Sequence, residues 1–440
     1  MKHSISLFFC AVVFCFFIPF AMGASQDEEQ MAPQDITIIT LSECVAIALD
    51  KNPQVLYSKE DIFEKEFSLS SSKKDLLPSL FFNYGYIHTQ DPDPVLALED
   101  YYNYSIGIEQ PVYQGRALVT GVEMSKLDLE SSKAGMAQTK NDIILSVNEA
   151  YYNLLKTRKF EGVAKQSVED RKAHLKDATA FYNAGLIPKN DMLQSEVELA
   201  GAEIAYIQAM NLSHMAQAEL NTLLRRPVDT PIELEDILQF EPSEISWDDA
   251  VQQAKQYRPE LRQSEIAVQQ AEKNIILTKA PYLPAVSVSA NYLKQGDNPL
   301  ADDYPLLGSS EVTTAMANLE WRFWAWGQSK DKIAAAKHNV KKAEERHSEL
   351  LDTIILQVRQ AYLDIKESEY NIGVTEKAIE QAEEDFRINQ SRYQAQLGTT
   401  TDVLDAQTRL SRAKISYYNA LYNYRISLMK LAWATGTLNM

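Results

Sequence analysis

The chain repeats itself over half its length. Leu77-Pro78-Ser79-Leu80 returns as Leu283-Pro284-Ala285-Val286, a step of 206 residues. Ile143, Val147, Tyr151 and Leu154 return as Ile354, Val358, Tyr362 and Ile365, a step of 211. Tyr182, Asp191, Leu193 and Leu199 match Tyr393, Asp402, Leu404 and Leu410 at that same step of 211. Solenoid units are only roughly 20–50 residues long, so each copy is a structural half rather than one turn of a stack. The contents of one half therefore describe what the whole encloses.

Charge narrows the partners. The net charge is −18 and no basic stripe offsets it, which excludes a nucleic-acid partner and a surface built to cling to anionic lipid. The first residues read as a secretory signal over 1–24. Lys2 is the basic flank, residues 5–20 are an apolar run, and Ala21-Met22-Gly23-Ala24 supplies the small residues for cleavage. A retained anchor is the alternative, but the run is short for a spanning helix. Cys10 and Cys15 would leave with the signal, so Cys44 alone remains and no intrachain disulfide is expected. No later window of 18 apolar residues follows, so any membrane-embedded part is not a spanning helix.

Each half opens with a helix broken by proline, at Asn52-Pro53 and at Arg258-Pro259. Pro stops one helix and is tolerated in the first turn of the next. A second helix then runs to about Asp75 and about Lys279, closing at Pro78 and Pro284. Strand-like alternation follows. Leu80, Phe82, Tyr84 and Tyr86 form one series, and Tyr102, Tyr104, Ile106 and Ile108 its pair. In the second half the series are Val286, Val288, Ala290 and Tyr292, then Ala315, Ala317, Leu319, Trp321 and Phe323. A β-sandwich with one wet face explains such alternation. Three features favour a membrane barrel. The strands are long enough to cross a bilayer on a tilt. The polar face carries Asn, Glu and Arg, as a water-filled lumen does. Tyr101, Tyr102, Tyr113, Trp321, Trp324 and Trp326 crowd the strand ends like an interfacial girdle. Two acidic loops join the strands, 87–100 with Asp91, Asp93, Glu99 and Asp100, and 293–310 with Asp297, Asp302 and Asp303. They suit the outside of the cell, and the greater length of the second accounts for the growth of the step from 206 to 211. Four strands cannot close a conducting barrel, and open edges are forbidden in hydrocarbon. Several chains must pool their strands.

Helices make up the rest. Residues 117–184 contain no Pro, and their counterpart is 328–396; at 1.5 Å per residue each reaches roughly 100 Å. Each turns at a short break, Gly185-Leu186-Ile187-Pro188 or Leu397-Gly398-Thr399, and returns as a second helix. The apolar positions 143, 147, 151 and 154 are spaced as the seam of a bundle. The expected fold is a mixed α/β membrane protein, with four transmembrane strands and two long coiled-coil hairpins in tandem. The first repeat is 25–240, with strand pair 79–112 and helical hairpin 116–226. The second is 241–440, with strand pair 284–324 and helical hairpin 328–436.

No catalytic motif stands out, and no cofactor is expected. The histidines His3, His88, His174, His214, His338 and His347 show no metal-ligand spacing, and there is no phosphate loop or nucleophile elbow. The chemically loaded stretch is Thr399-Thr400-Thr401-Asp402-Val403-Leu404-Asp405. Thr399 and Asp402 can form a capping box at a helix start, and Asp191, the repeat mate of Asp402, is accounted for by capping too. Asp405, one turn on, is not. The other reading is that oligomer symmetry multiplies these carboxylates into rings that select cations at a constriction.

Taken with Leu41-Ser42-Glu43-Cys44-Val45-Ala46-Ile47-Ala48, the stretch 393–436 and its Tyr422-Asn423-Tyr424, this architecture resembles the TolC family of Gram-negative outer-membrane efflux channels. The resemblance covers nearly the whole mature chain. It implies a homotrimer whose three chains form a twelve-stranded barrel above a twelve-helix periplasmic tunnel. It makes the chain the passive exit duct of a tripartite efflux or type I secretion system. The partners it implies are a periplasmic adaptor, an inner-membrane pump or ABC transporter, and outer-membrane lipid. Asp402 and Asp405 match the acidic pair of the periplasmic aperture. Asp191 and Tyr393 match positions in the bonds that hold it shut. Gly185, Leu186, Leu397 and Gly398 match the tips that meet the adaptor. The basic residue that some members place four residues before the first Asp is Gly398 here, and Arg392 and Arg409 are the candidates to replace it. The rival class is a soluble periplasmic helical scaffold with a β-sandwich head.

Overall fold

The computed structural model describes residues 38–90, 99–236, 240, 242, 245–301 and 311–438. The expected signal at 1–24 lies outside them, as do Asp91, Asp93, Asp302 and Asp303 of the two acidic loops. In chain order the elements are β1 (Ile38–Ile39), α1 (Leu41–Lys51), α2 (Pro53–Lys74), β2 (Ser79–His88), β3 (Asp100–Gln114), α3 (Ala117–Asn183) and α4 (Lys189–Leu223). Then follow β4 (Glu233–Leu234), α5 (Trp247–Tyr257), α6 (Pro259–Lys279), β5 (Ala285–Gly296), β6 (Glu311–Glu320), α7 (Gln328–Gln394) and α8 (Thr400–Thr435). Two helices, two strands and a long hairpin thus occur twice in the same order.

Local chemistry sets the helix starts. Thr40 caps α1 in a reciprocal box, in which the Glu43 carboxylate accepts from Thr40 N at 2.8 Å and Thr40 Oγ1 accepts from Glu43 N at 3.3 Å. The Asn52 side chain caps α2 by accepting from Gln54 N at 2.9 Å, with Pro53 at the first helical position. In the second copy the capping position is Arg258, which has no side-chain cap bond. Its guanidinium instead stacks 4.3 Å from the Trp433 ring, donates to Trp433 O at 3.2 Å and Gln357 Oε1 at 2.9 Å, and pairs with Glu260 at 3.0 Å. Trp433 Nε1 in turn donates to Asp142 at 2.7 Å. One buried arginine therefore ties α6 to α7 and α8, and Trp433 carries the link on to α3. The end of α8 is held close by Gly436. It adopts φ +75, and a Cβ there would lie 2.7 Å from Tyr257 C, so only glycine fits.

The four long strands form one antiparallel sheet in the order β2-β3-β5-β6. The register pairs Leu80 with Ile108, Phe82 with Ile106, Ile106 with Tyr292 and Tyr292 with Thr313, so the predicted apolar series share one face. Leu80 is 78% exposed and Phe82 64%. Among the described residues no second sheet covers them, since the only other sheet is the two-residue pair β1–β4. The described residues therefore form no β-sandwich head. Two strand ends depart from expectation. β3 runs on to Gln114 past an irregularity between Pro111 and Tyr113, where Pro111 has no N–H to give the ladder. β6 stops at Glu320, short of Trp321 and Phe323. Its sole partner, β5, begins at Ala285 directly opposite Glu320, so nothing pairs with the chain beyond.

The predicted apolar seam forms the two cores. Ile143, Val147, Tyr151 and Leu154 are buried with Cys44, Ala48 and Leu220, and Ile354, Val358 and Ile365 with Ala250, Ala254 and Leu431. The Tyr151 hydroxyl donates to Glu235 O at 2.6 Å and the Tyr422 hydroxyl to Asp236 at 3.2 Å, fastening the segment after β4 across α3 and α8. Removing one partner of a buried ion pair costs about 3 kcal/mol or more. Arg258→Ala should lower unfolding stability by about 3 kcal/mol, read as a shifted denaturation midpoint at unchanged slope. An unshifted midpoint contradicts the role given to this cluster.

Candidate functional site

The candidate site is the far end of the two hairpins. α3 packs on α4, α7 on α8, and α8 lies against α3. Both turns use the same stop. Gly185 at φ +74 and its repeat mate Gln396 at φ +59 take the left-handed conformation. Leu186 N donates to Phe181 O at 2.9 Å and Leu397 N to Arg392 O at 2.8 Å, the bonds of a Schellman ending. Leu186 and Leu397 are left exposed at the two tips. Gly398 lies beside Arg392, the nearest atom to an added Cβ being Arg392 Cβ at 3.3 Å.

Asp402 closes a capping box. Its carboxylate accepts from Thr399 N at 2.9 Å, and Thr399 Oγ1 accepts from Asp402 N at 3.2 Å. The backbone bond from Thr399 is the main reason its pKa lies below the ordinary carboxylate value, followed by the Thr399 side chain. Asp405 is exposed one turn on, and its carboxylate makes no hydrogen bond or ion pair with another described residue. Asp191 corrects the expectation of a second cap. The capping residue of α4 is Pro188, which makes no side-chain cap bond, because proline has neither an acceptor oxygen nor an N–H to return the bond. Arg392 and Arg409 are also spoken for. Arg392 Nη2 donates to Leu397 O at 3.3 Å, and Arg409 binds Asp385 at 2.8 Å, both inside the second hairpin. They help lower the Asp402 pKa but do not bridge to the first hairpin.

Tyr393 is the centre of contact between hairpins. It is 3% exposed, 4.8 Å from the His174 ring and 5.5 Å from Phe181. Burial raises its pKa, the Thr400 hydroxyl opposes this, and Asp177 and Asp191 add to it. Asp191 thus acts on Tyr393 through its charge rather than through a bond. His174 Nε2 is buried without a partner, and the buried hydroxyls of Tyr393 and Thr400 lie next to each other. Burial holds the His174 pKa below its ordinary value, against the pull of Asp177 and with help from Arg171.

His174 and Arg171 escape a motif search because each is a lone polar residue on a helix. The signal lies in the copies' disagreement: at a step of 211, Arg171 meets Ala382 and Glu198 meets Arg409. The same comparison shows where equivalent positions of the two copies differ in burial. Tyr418 and Ile426 of α8 pack against the first core, and Lys159 of α3 lies 6.0 Å over the Tyr418 ring. Their mates on α4, Ile207 and Met215, are 49% and 68% exposed. Tyr152 of α3 is buried, while its mate Leu363 on α7 is 46% exposed. Val197 and Ile204 extend the open stripe on α4, and Leu356, Tyr370 and Val374 that on α7.

Comparison with known proteins agrees with this arrangement. The sequence profile of the family described as outer membrane efflux protein matches twice, over residues 46–224 and 250–437. Outer membrane protein TolC of Vibrio cholerae is 23% identical over 411 residues, covering 91% of each chain. Alkaline protease secretion protein AprF of Pseudomonas aeruginosa is 20% identical over 431 residues, covering 92% of this chain and 86% of its own. The CmeC outer membrane channel of Campylobacter jejuni superposes with a TM-score of 0.80 at 16% identity, over 90% of this chain and 86% of that one.

Acid should loosen the tip in two steps. A buried His with a depressed pKa favours folding above its unfolded value, so the loss begins as pH drops below 6.5. The Asp402 cap, also depressed, is lost only as pH falls below 3.8. Hydrogen exchange across 393–405, corrected for intrinsic rates, should rise in both windows. His174→Gln should remove the first rise and Asp402→Asn the second; protection that ignores pH contradicts both assignments.

Proposed function

Because the chain belongs to the outer membrane efflux protein family, we propose that three copies assemble into the passive exit duct of a tripartite efflux or type I secretion system, gated at its periplasmic tip. The protein is an outer-membrane channel component with an extended periplasmic helical part, and not an enzyme. The finer reading rests on one observation. The seam that α8 makes with α3 inside the chain is repeated as two open apolar faces, on α4 and α7. Apolar side chains of this size contribute roughly 1.5 to 3 kcal/mol each when buried, enough to drive the α4 face of one copy onto the α7 face of the next. In the same step β6 of one copy meets β2 of its neighbour. The two edges run in opposite directions, because the sheet has four antiparallel strands, so the junction continues the antiparallel ladder. Three copies give a twelve-stranded barrel and a tunnel of twelve long helices. On this reading 25–240 and 241–440 are its two structural repeats.

Asp402 and Asp405 then stand around one axis. Carboxylates roughly 6 Å apart repel by about 3 kcal/mol at an effective dielectric of about 20, so a closed aperture needs offsetting bonds or bound cations. Asp191 and Tyr393 belong to the packing that keeps it shut. The exposed tips Gly185, Leu186, Leu397 and Gly398 meet the periplasmic adaptor. An adaptor with modest preference for the wider tip shifts the tunnel open. The energy comes from the inner-membrane pump or ABC transporter, in keeping with a chain that carries no nucleotide-binding motif.

Planar-bilayer recording tests the gate. The double variant Asp402→Ala, Asp405→Ala should insert and conduct but lose inhibition by divalent cations, at least tenfold in the blocking concentration. Block at wild-type concentrations would sink the aperture assignment.

A further inference from the structure

A basic groove lies between α6 and α7, in a chain whose net charge is −18. It holds about 570 Å³ and is lined by Asn274 of α6 and by Lys332, His338, Asn339 and Lys342 of α7. Ala335 and Ala336 leave its floor open. Every ionisable side chain in the lining is basic, with no Asp or Glu among them. Neither lysine has an ion-pair partner among the described residues, and the side-chain amides of Asn274 and Asn339 make no hydrogen bond there. Lys332 and Lys342 stand about 15 Å apart along the helix axis. Their flexible four-carbon stems can converge on one elongated ligand from its two ends.

The repeat supplies the comparison. At a step of 211, Lys332, His338, Asn339 and Lys342 correspond to Gly121, Leu127, Asp128 and Ser131 on α3. The groove on that part of α3, shared with α2 and α6, is lined by Asp61, Asp128 and Asp142. Its Lys65 is already held by Asp61 at 3.9 Å and by Glu64 at 2.9 Å. The two copies therefore carry grooves of opposite sign, and the second offers unpaired cations. Position gives the groove its context. α7 carries α5 on one side, where Trp247 lies 6.1 Å from the Tyr362 ring and 5.0 Å from the Arg359 guanidinium. Lys332, Asn339, Arg346, Thr353 and Gln360 follow one another at steps of seven, and all are exposed. Gln360 is two residues from Tyr362, which puts the two on opposite sides of a helix with 3.6 residues per turn. A duct must keep its lumen clear, so the side of α7 free of α5 is the side that lines it.

Two unpaired ammonium groups in a cleft without counter-charge focus a positive potential, and ammonium binds phosphate as a point charge. The amides of Asn274 and Asn339 supply neutral donors for the same oxygens. The acids at the tip do not cancel this field. Asp402 lies beyond the far end of α7, roughly 80 Å away, whereas charges in water are screened within about 8 Å at physiological salt. We propose that the α6–α7 groove is a subsite for multivalent oxyanions, the anionic groups of an elongated cargo moving along the lumen. An open groove binds weakly enough to let such a cargo leave, as conduction requires. The cargo role rests on the trimeric duct reading given above, while the groove itself is complete within one chain.

Calorimetry of the full-length protein in detergent, titrated with inorganic tripolyphosphate in metal-free buffer at low salt, tests the groove. Wild type should bind, and the double variant Lys332→Gln, Lys342→Gln should bind about tenfold more weakly or worse. Lys337→Gln, Lys341→Gln removes the same charge from exposed positions of the same helix outside the groove, and should change affinity less than about twofold. Absence of binding to wild type, or equal loss in both double variants, overturns the subsite. Planar-bilayer recording in the same buffer tests its position. Tripolyphosphate should reduce wild-type current, and Lys332→Gln, Lys342→Gln should need about tenfold more for the same effect. Binding by calorimetry with no effect on the current of conducting wild-type channels overturns the cargo role. Wild-type protein that binds tripolyphosphate yet stays monomeric and never conducts would bring down the trimeric duct, and the cargo role with it, while the groove stands.

Discussion

Backbone hydrogen bonding in a medium without water is the constraint on which this molecule depends. A sheet of four strands ends in two rows of unpaired N–H and C=O groups, at β2 and β6, and hydrocarbon offers them nothing. The exposed Leu80 and Phe82 face suits lipid, and in the proposed trimer the edges find each other across copies. That requirement propagates downward. Each strand pair is continuous with a helical hairpin, and in the proposed trimer closing the sheet places the outer faces of α4 and α7 side by side. Those are the faces left apolar and open.

In the proposed trimer, duplication supplies the tube and divergence supplies its working parts. Where the copies agree, as at Ile143 and Ile354 or Val147 and Val358, they build equivalent cores. Where they differ, the change has a local cause. The Asn52 cap became Arg258, which clamps the end of α8 through Trp433. The capping partner of Asp402 is Thr399, while at the equivalent place Pro188 leaves Asp191 uncapped and free to act on Tyr393 through its charge. Arg171 against Ala382 gives only the first copy a buried guanidinium, which reaches Glu198 and Thr408.

Much of the fold is legible in the sequence. Period-two alternation marks β2, β3 and β5, and the absence of Pro across 117–184 marks α3, because those patterns act locally. The end of β6 was not legible, since it depends on where β5 begins and not on Trp321 or Phe323 themselves. The Asp402 capping box could be read from Thr399 three residues earlier. The missing cap at Asp191 is equally legible in Pro188, which breaks the repeat symmetry with Thr399. Arg171 and His174 could not be found by motif, because their meaning comes from Glu198, Thr408 and Tyr393, which are distant in sequence.

The central claim is that the α3–α8 seam within a chain recurs between chains as α7 against α4. Lys159 and Tyr418 face each other in the first seam, and their mates are Tyr370 and Ile207. Cysteines at 370 and 207, in a Cys44→Ser background, should oxidise into a covalent ladder that ends at the trimer on denaturing gels. A ladder that stops at monomer, or one that runs past three copies, would contradict it.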